Sequence, residues 1–89
     1  MKSGRRLTSK HYILFLQENE RGFHRLGIVV KKEIGSASLR NRMKRYLREF
    51  FRLNKQKIKG SLDMIILVKK GSLPARYRET EEELIKGLV

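Results

Sequence analysis

A chain of 89 residues in which 22 Lys and Arg face 9 Asp and Glu has a formal net charge of +13. At that charge a small domain repels itself unless a polyanion, either nucleic acid or an anionic membrane, is close by. The length suits a single domain, residues 1–89, with a limited core. The absence of cysteine excludes disulfides and thiolate zinc sites. The longest aliphatic run, residues 64–68, is far below the about 20 residues of a membrane helix, so a soluble cytoplasmic protein is expected.

Residues 1–10 are polar and basic and are expected to be loosely ordered. Residues 11–17 (HYILFLQ) are rich in aromatic and β-branched types and predict a strand. Residues 18–22 form a polar connector closed by glycine. A second strand centres on Ile28, Val29 and Val30, and the short spacing predicts an antiparallel hairpin with the first. Residues 35–38 (GSAS) break the strand pattern, and Ser36 or Ser38 can cap the helix that follows, from about Ser38 to about Lys55. Residues 63–70 predict a third strand, whose unbroken apolar run implies a central position buried on both faces.

The chain's single proline, Pro74, suits the first turn of a closing helix over residues 75–89. The acids of that helix precede Lys86, as the helix dipole favours. Tyr77, Leu84, Ile85 and Leu88 give it a stripe for packing on a sheet. Strand, strand, helix, strand, helix predicts an α+β fold: a small sheet with helices packed on one face, in a split βαβ arrangement.

Residues 39–52 (LRNRMKRYLREFFR) hold six Lys or Arg and one acid, interleaved with bulky apolar side chains. Advancing about 100° per residue from Arg40 puts Lys44, Arg48, Asn41, Arg52 and Arg45 between about 40° and 140°, with Arg42 at about 200°. Leu53, Tyr46, Leu39, Phe50, Met43 and Leu47 fill the arc from about 220° to 340°, and Phe51 marks the seam near about 20°. One face can therefore bury while the other projects cations. Arg40, Lys44, Arg48 and Arg52 repel at successive i, i+4 positions with only Glu49 for relief. Solvated faces usually mix signs, so a row of one sign points to an external polyanion.

Arginine forks suit phosphate oxygens, and Asn41 adds a neutral donor and acceptor. A DNA major-groove helix would need a partner helix across a short turn, whereas strand residues precede this one. Tyr12 and Phe15 differ in parity and point to opposite faces of their strand, so one can sit in the core while the other offers a base-stacking surface.

The block RLGIVVKKEIGSASLRNRMKRYLREFFR resembles the signature of the bacterial ribonuclease P protein subunit family. The matching features are Leu26-Gly27, Lys31-Lys32, Gly35, Arg40-Asn41-Arg42, Lys44-Arg45, Arg48 and Phe50-Phe51. The resemblance implies a small, mainly antiparallel sheet with a left-handed βαβ crossover, the ribosomal protein S5 domain 2-like fold. It implies an accessory subunit of an endoribonuclease that removes the 5′ leader of precursor tRNA. Catalysis would lie with the RNA subunit and its Mg2+, with no cofactor or metal bound by the protein. Arg40, Asn41, Arg42, Lys44, Arg45 and Arg48 would face the catalytic RNA, with Arg52 extending the row. Phe15, Lys31, Lys32 and Ser36 would form or border a cleft for the single-stranded leader. The family's usual first basic helix is expected to be missing, leaving a sheet face that a second copy could cover.

The residues themselves suggest no protein active site. His11 and His24 are isolated, and no nucleophile–base spacing or glycine-rich phosphate loop occurs. Glu79, Glu82 and Glu83 lack the His or Asp that would complete a metal set. The alternative functions are a ribosomal or general RNA-binding structural protein and a basic amphipathic membrane binder.

Overall fold

A computed structural model describes residues 4–88. It contains β1 (Arg5–Thr8), β2 (Tyr12–Glu18), β3 (Arg25–Val29), α1 (Ala37–Asn54), β4 (Leu62–Val68) and α2 (Tyr77–Leu88). The strands form one sheet in the order β1-β2-β4-β3. β1 and β4 both run antiparallel to β2, whereas β3 and β4 are parallel and joined through α1.

Strand alternation sets the layers. Tyr12, Leu14 and Leu16 of β2 and Leu62, Met64, Ile66 and Val68 of β4 point to one face and are buried. Onto them α1 packs Met43, Leu47 and Phe50, spaced four and three apart as a helical stripe requires, and α2 packs Leu84. Tyr12 reaches through this core to Thr80, hydroxyl to hydroxyl at 2.6 Å, and burial pushes its phenol up to about 12. Tyr77, Ile85 and Leu88 pack half-buried against the same core, so the predicted stripe of the closing helix forms, with Thr80 added to it. Both helices lie on this side, as the α+β reading expects.

Five expectations need correction. The closing helix begins at Tyr77, so Pro74 stands before its first turn. The basic start is not wholly loose, because Arg5–Thr8 pairs with Ile13–Leu16 and tucks Leu7 against the core. A single apolar residue in RRLT offers too little pattern to announce a strand. The expected hairpin does not form, since β4 inserts between β2 and β3. β4 is central, yet only its inner face is covered, and Ile65 on the other is 46% exposed. Near the end of α1, Leu53 is 45% exposed while Asn54 is buried. Leu53 sits at the margin of the apolar arc, whereas Asn54, at about 320°, sits inside it; its polarity concealed the position. Asn54 donates there to Phe50 O (3.0 Å) and Glu81 Oε2 (3.1 Å).

The β2–β3 loop is clamped to the connection that leads into β4. Asn19 N–H donates to Ser61 O and Ser61 Oγ to Asn19 O, both at 3.0 Å. His24 Nδ1 accepts from Leu62 N–H and its Nε2 donates to Ile58 O, again at 3.0 Å, which fixes the Nε2–H tautomer. A second pin joins the β1–β2 turn to α2. Glu83 accepts from His11 N–H (2.7 Å), from His11 Nδ1 (2.6 Å) and from Ser9 Oγ. Burial alone would raise the Glu83 carboxyl, but these hydrogen bonds outweigh it and hold the group below its ordinary range.

A carboxyl depressed by folding contributes stability above its unfolded titration range and loses it as pH falls through the folded value. Glu83→Gln is therefore expected to lower stability by about 2 kcal/mol near neutral pH, the scale of hydrogen bonds to a charged acceptor. The deficit should shrink in acid. Urea melts at both pH values check this, and an equal deficit at both would remove the carboxylate from the account.

Candidate RNA interface

Two surfaces of opposite chemistry flank the sheet and helices. The first is the outer face of α1. Ser36 opens the helix as its cap, Oγ accepting from Leu39 N–H at 3.2 Å. Gly35 makes the turn into it at φ 153°, where a Cβ would meet Leu39 Cδ1 at 2.8 Å. Its carbonyl accepts from Arg40 Nε at 3.2 Å, which ties the first predicted site arginine to the entry turn.

The seven predicted α1 residues are not equivalent. Asn41, Arg45 and Arg48 are exposed and Lys44 half-buried, and among the described residues no acid pairs with these cations. Arg52 is held by Glu49, Nε to Oε1 at 3.1 Å and Nη2 to Oε2 at 2.6 Å, so its charge is already partly offset. Arg42 is half-buried at the edge of the apolar arc, its Nε enclosed without a hydrogen-bond partner. The bare cationic centre is thus Lys44, Arg45 and Arg48, flanked by Asn41.

The second surface is the sheet face turned away from the helices. Register places Arg6, Phe15, Ile65 and Gly27 in one row across all four strands. Phe15 is 39% exposed, with the Arg6 guanidinium 5.9 Å from its ring centroid. Parity thus resolves as the alternation allows, with Tyr12 in the core and Phe15 on the open face. A hollow of about 410 Å3 lies here among Arg6, Phe15, Gln17, Asp63 and Ile65. Asp63, the acid of this surface, is bonded by Arg25 through Nε (2.7 Å) and Nη2 (2.6 Å) and by Asn19 (2.7 Å). The Arg25 contact above all, then Asn19, holds its carboxyl at about 2, and its charge is answered before any anion arrives.

Of the predicted cleft residues, Lys31 lines an adjoining hollow of about 280 Å3 with Ile13, Leu67, Lys69, Lys70 and one acid, Glu33. Lys32 is exposed on the helical turn before Gly35, and Ser36 commits its oxygen to the cap. Sequence reasoning missed Arg6, Gln17 and Ile65. Arg6 lies on a strand that its sequence does not announce, and the apolar run of β4 hides the outward side of Ile65. The parity of Phe15 was the signal that could have found Gln17, two residues along the same face.

A further hollow, about 620 Å3, lies elsewhere. It lies beside α2, with Leu7, Leu14 and Leu84 below and Glu79, Glu82 and Glu83 on its rim. Lys10 and Lys86 also line it, so its charge is mixed, unlike the cation row of α1.

A mixed four-stranded sheet, backed on one side and open on the other, with a helix whose Arg45 and Arg48 no acid among the described residues pairs, defines an RNA-binding α+β domain. Comparison with known proteins makes this particular. A family model described as Ribonuclease P matches residues 1–89. The ribonuclease P protein component of Syntrophus aciditrophicus is 44% identical over 81 residues, covering 91% of this chain and 68% of the relative. The solved structure of the RNase P protein from Thermotoga maritima superposes with a TM-score of 0.85 at 31% identity, covering 96% of this chain and 81% of that one. The Staphylococcus aureus RNase P protein gives 0.82 at 28% identity, with 93% and 76% covered.

The chain belongs to the ribonuclease P protein family. It is a component of the endoribonucleoprotein of tRNA processing, and its partners are ribonuclease P RNA and tRNA precursors. No helix among the described residues is long and apolar enough to cross a membrane.

Proposed function

We propose that α1 docks on the catalytic RNA of ribonuclease P, with Arg40, Asn41, Arg42, Lys44, Arg45, Arg48 and Arg52 facing it. The observation that carries this is the group Lys44, Arg45 and Arg48, which no acid among the described residues pairs, on an outer face whose opposite side is fixed in the core. In this reading the open sheet face, with Phe15 and Lys31, takes the single-stranded leader of the precursor. Lys32 and Ser36 border that path.

The chemistry of cleavage belongs to the RNA. Both histidines are committed to structure, His11 to Glu83 and His24 to two backbone groups. Mg2+ demands oxygen ligands, and the α1 face offers mainly cations, so in this reading the ion belongs with the RNA. The protein's contribution is to bind, neutralise phosphates and position the substrate. This work is assigned to the cytoplasm.

Exposed Phe15 and Ile65 also suit pairing with a second copy through the same face, against the mutual repulsion of two chains at +13. A leader oligonucleotide is expected to dissolve such a pair in sedimentation.

Reconstitution with a bacterial ribonuclease P RNA at low magnesium tests the main reading. Precursor cleavage should rise with added protein and should depend on Arg40 and Arg42. A rate unmoved by the protein would reject it.

A further inference from the structure

The cationic strip does not stop where α1 stops. Lys55 falls at about 60° from Arg40, on the row of Lys44 and Arg48, with its ammonium 5.8 Å from the Phe51 ring. The helical turn Lys55–Lys57 and then Lys59 carry exposed lysines onward. They arrive at the clamp where residues 58–62 hold the β2–β3 loop.

Phe23 is presented on that loop. It is 56% exposed, more than any other large apolar residue of the described chain. The core makes no use of its ring, and the turn is made by Gly22 at φ 83°. Its backbone is nevertheless held on both sides. Asn19 Nδ2 donates to Phe23 O at 3.4 Å and to Asp63 at 2.7 Å, and His24 bridges Ile58 and Leu62. An exposed aromatic ring carried on a tethered backbone loses less entropy when something stacks on it than one on a free loop. Arg21 lies on the same loop, and Lys57 and Lys59 flank Ile58, whose carbonyl the clamp uses. Glu20 is the acid within the loop.

We infer that Phe23 is a stacking station for one unpaired nucleotide of RNA, whose neighbouring phosphates are met by Arg21, Lys57 and Lys59. The inference rests on the RNA reading of α1 and extends that interface around the end of the helix. An aromatic ring beside cations takes any base, because every base has a π-face. The nucleotide belongs either to the catalytic RNA or to a precursor tRNA, and the chemistry is shared.

Binding measured separately with ribonuclease P RNA and with precursor tRNA distinguishes the sources. Phe23→Leu keeps an apolar side chain and removes the π-face; it should weaken binding about tenfold for the RNA that supplies the base. Lys57→Gln with Lys59→Gln should make the salt dependence of log K shallower by about 1 to 2. The chain has no tryptophan, so Phe23→Trp gives one local fluorophore whose emission should be quenched when that RNA binds. The inference is overturned if Phe23→Leu binds both RNAs within twofold of the parent and the Phe23→Trp emission is unmoved. The double variant Arg45→Ala/Arg48→Ala is the reference arm. If it binds weakly while Phe23→Leu binds normally, the stacking station alone fails; if both bind normally, the α1 reading fails with it.

Discussion

Replacing Arg45 and Arg48 together with alanine is expected to weaken binding of ribonuclease P RNA about hundredfold, with the salt dependence of log K shallower by about 1.4 to 1.8. Both side chains are exposed, and neither has an acid partner among the described residues. Their removal therefore leaves no buried charge and opens no cavity. Each charge-assisted contact to a phosphate is worth about 1.5 to 3 kcal/mol, and about 2.8 kcal/mol for the pair is already a hundredfold. Changing both to lysine separates charge from shape: the salt dependence should stay and part of the affinity should go, because an ammonium lacks the planar fork. Arg78→Ala is the control, since that arginine sits on α2 against Glu82 at 3.2 Å and should bind within twofold. An unchanged affinity and slope in the double alanine variant would remove the centre of α1 from the interface.

How much of this could be read from the chain depends on where the information sits. α1 was legible nearly to the residue, because a dense period-3.6 pattern and a serine cap are local signals, and the observed helix runs Ala37–Asn54. Strand pairing was not legible. The apolar run of β4 says that it is central, but nothing in residues 18–24 says that β2 and β3 will be held apart. That outcome comes from Asn19, His24 and Ser61 finding partners 34 to 42 positions away. The site divides in the same way. The cations of α1 are written in sequence, and so is their shared face. Which of them are free is not, since the Glu49 bridge to Arg52 and the Gly35 carbonyl on Arg40 are decided by side-chain geometry. The open face was half legible, through the parity of Phe15, and its neighbours Arg6 and Ile65 came only with the sheet order.

Phe50→Ala should do the opposite of the arginine pair: spare the interface and undermine what holds it. Phe50 is 1% exposed, on the buried side of the same helix, and truncating such a ring typically costs 3 to 5 kcal/mol, so about 4 kcal/mol is expected. For a small domain within the usual about 5 to 15 kcal/mol, that should move the urea midpoint down by roughly 3 M. The two faces are coupled through binding, because RNA that binds only the folded chain stabilises it by mass action. At an RNA concentration about 100 times the dissociation constant the gain is about 2.7 kcal/mol. Phe50→Ala should therefore recover much of its lost midpoint when RNA is added, since its cations are intact. Arg45→Ala/Arg48→Ala should melt like the parent without RNA and gain only about 0.4 kcal/mol at the same RNA concentration, its dissociation constant having risen about hundredfold. The two variants thus separate the duties of one helix in a single set of melts. If Phe50→Ala unfolds identically with and without RNA, folding and RNA binding are not joined through α1, and the cation row has lost its claim to the catalytic RNA.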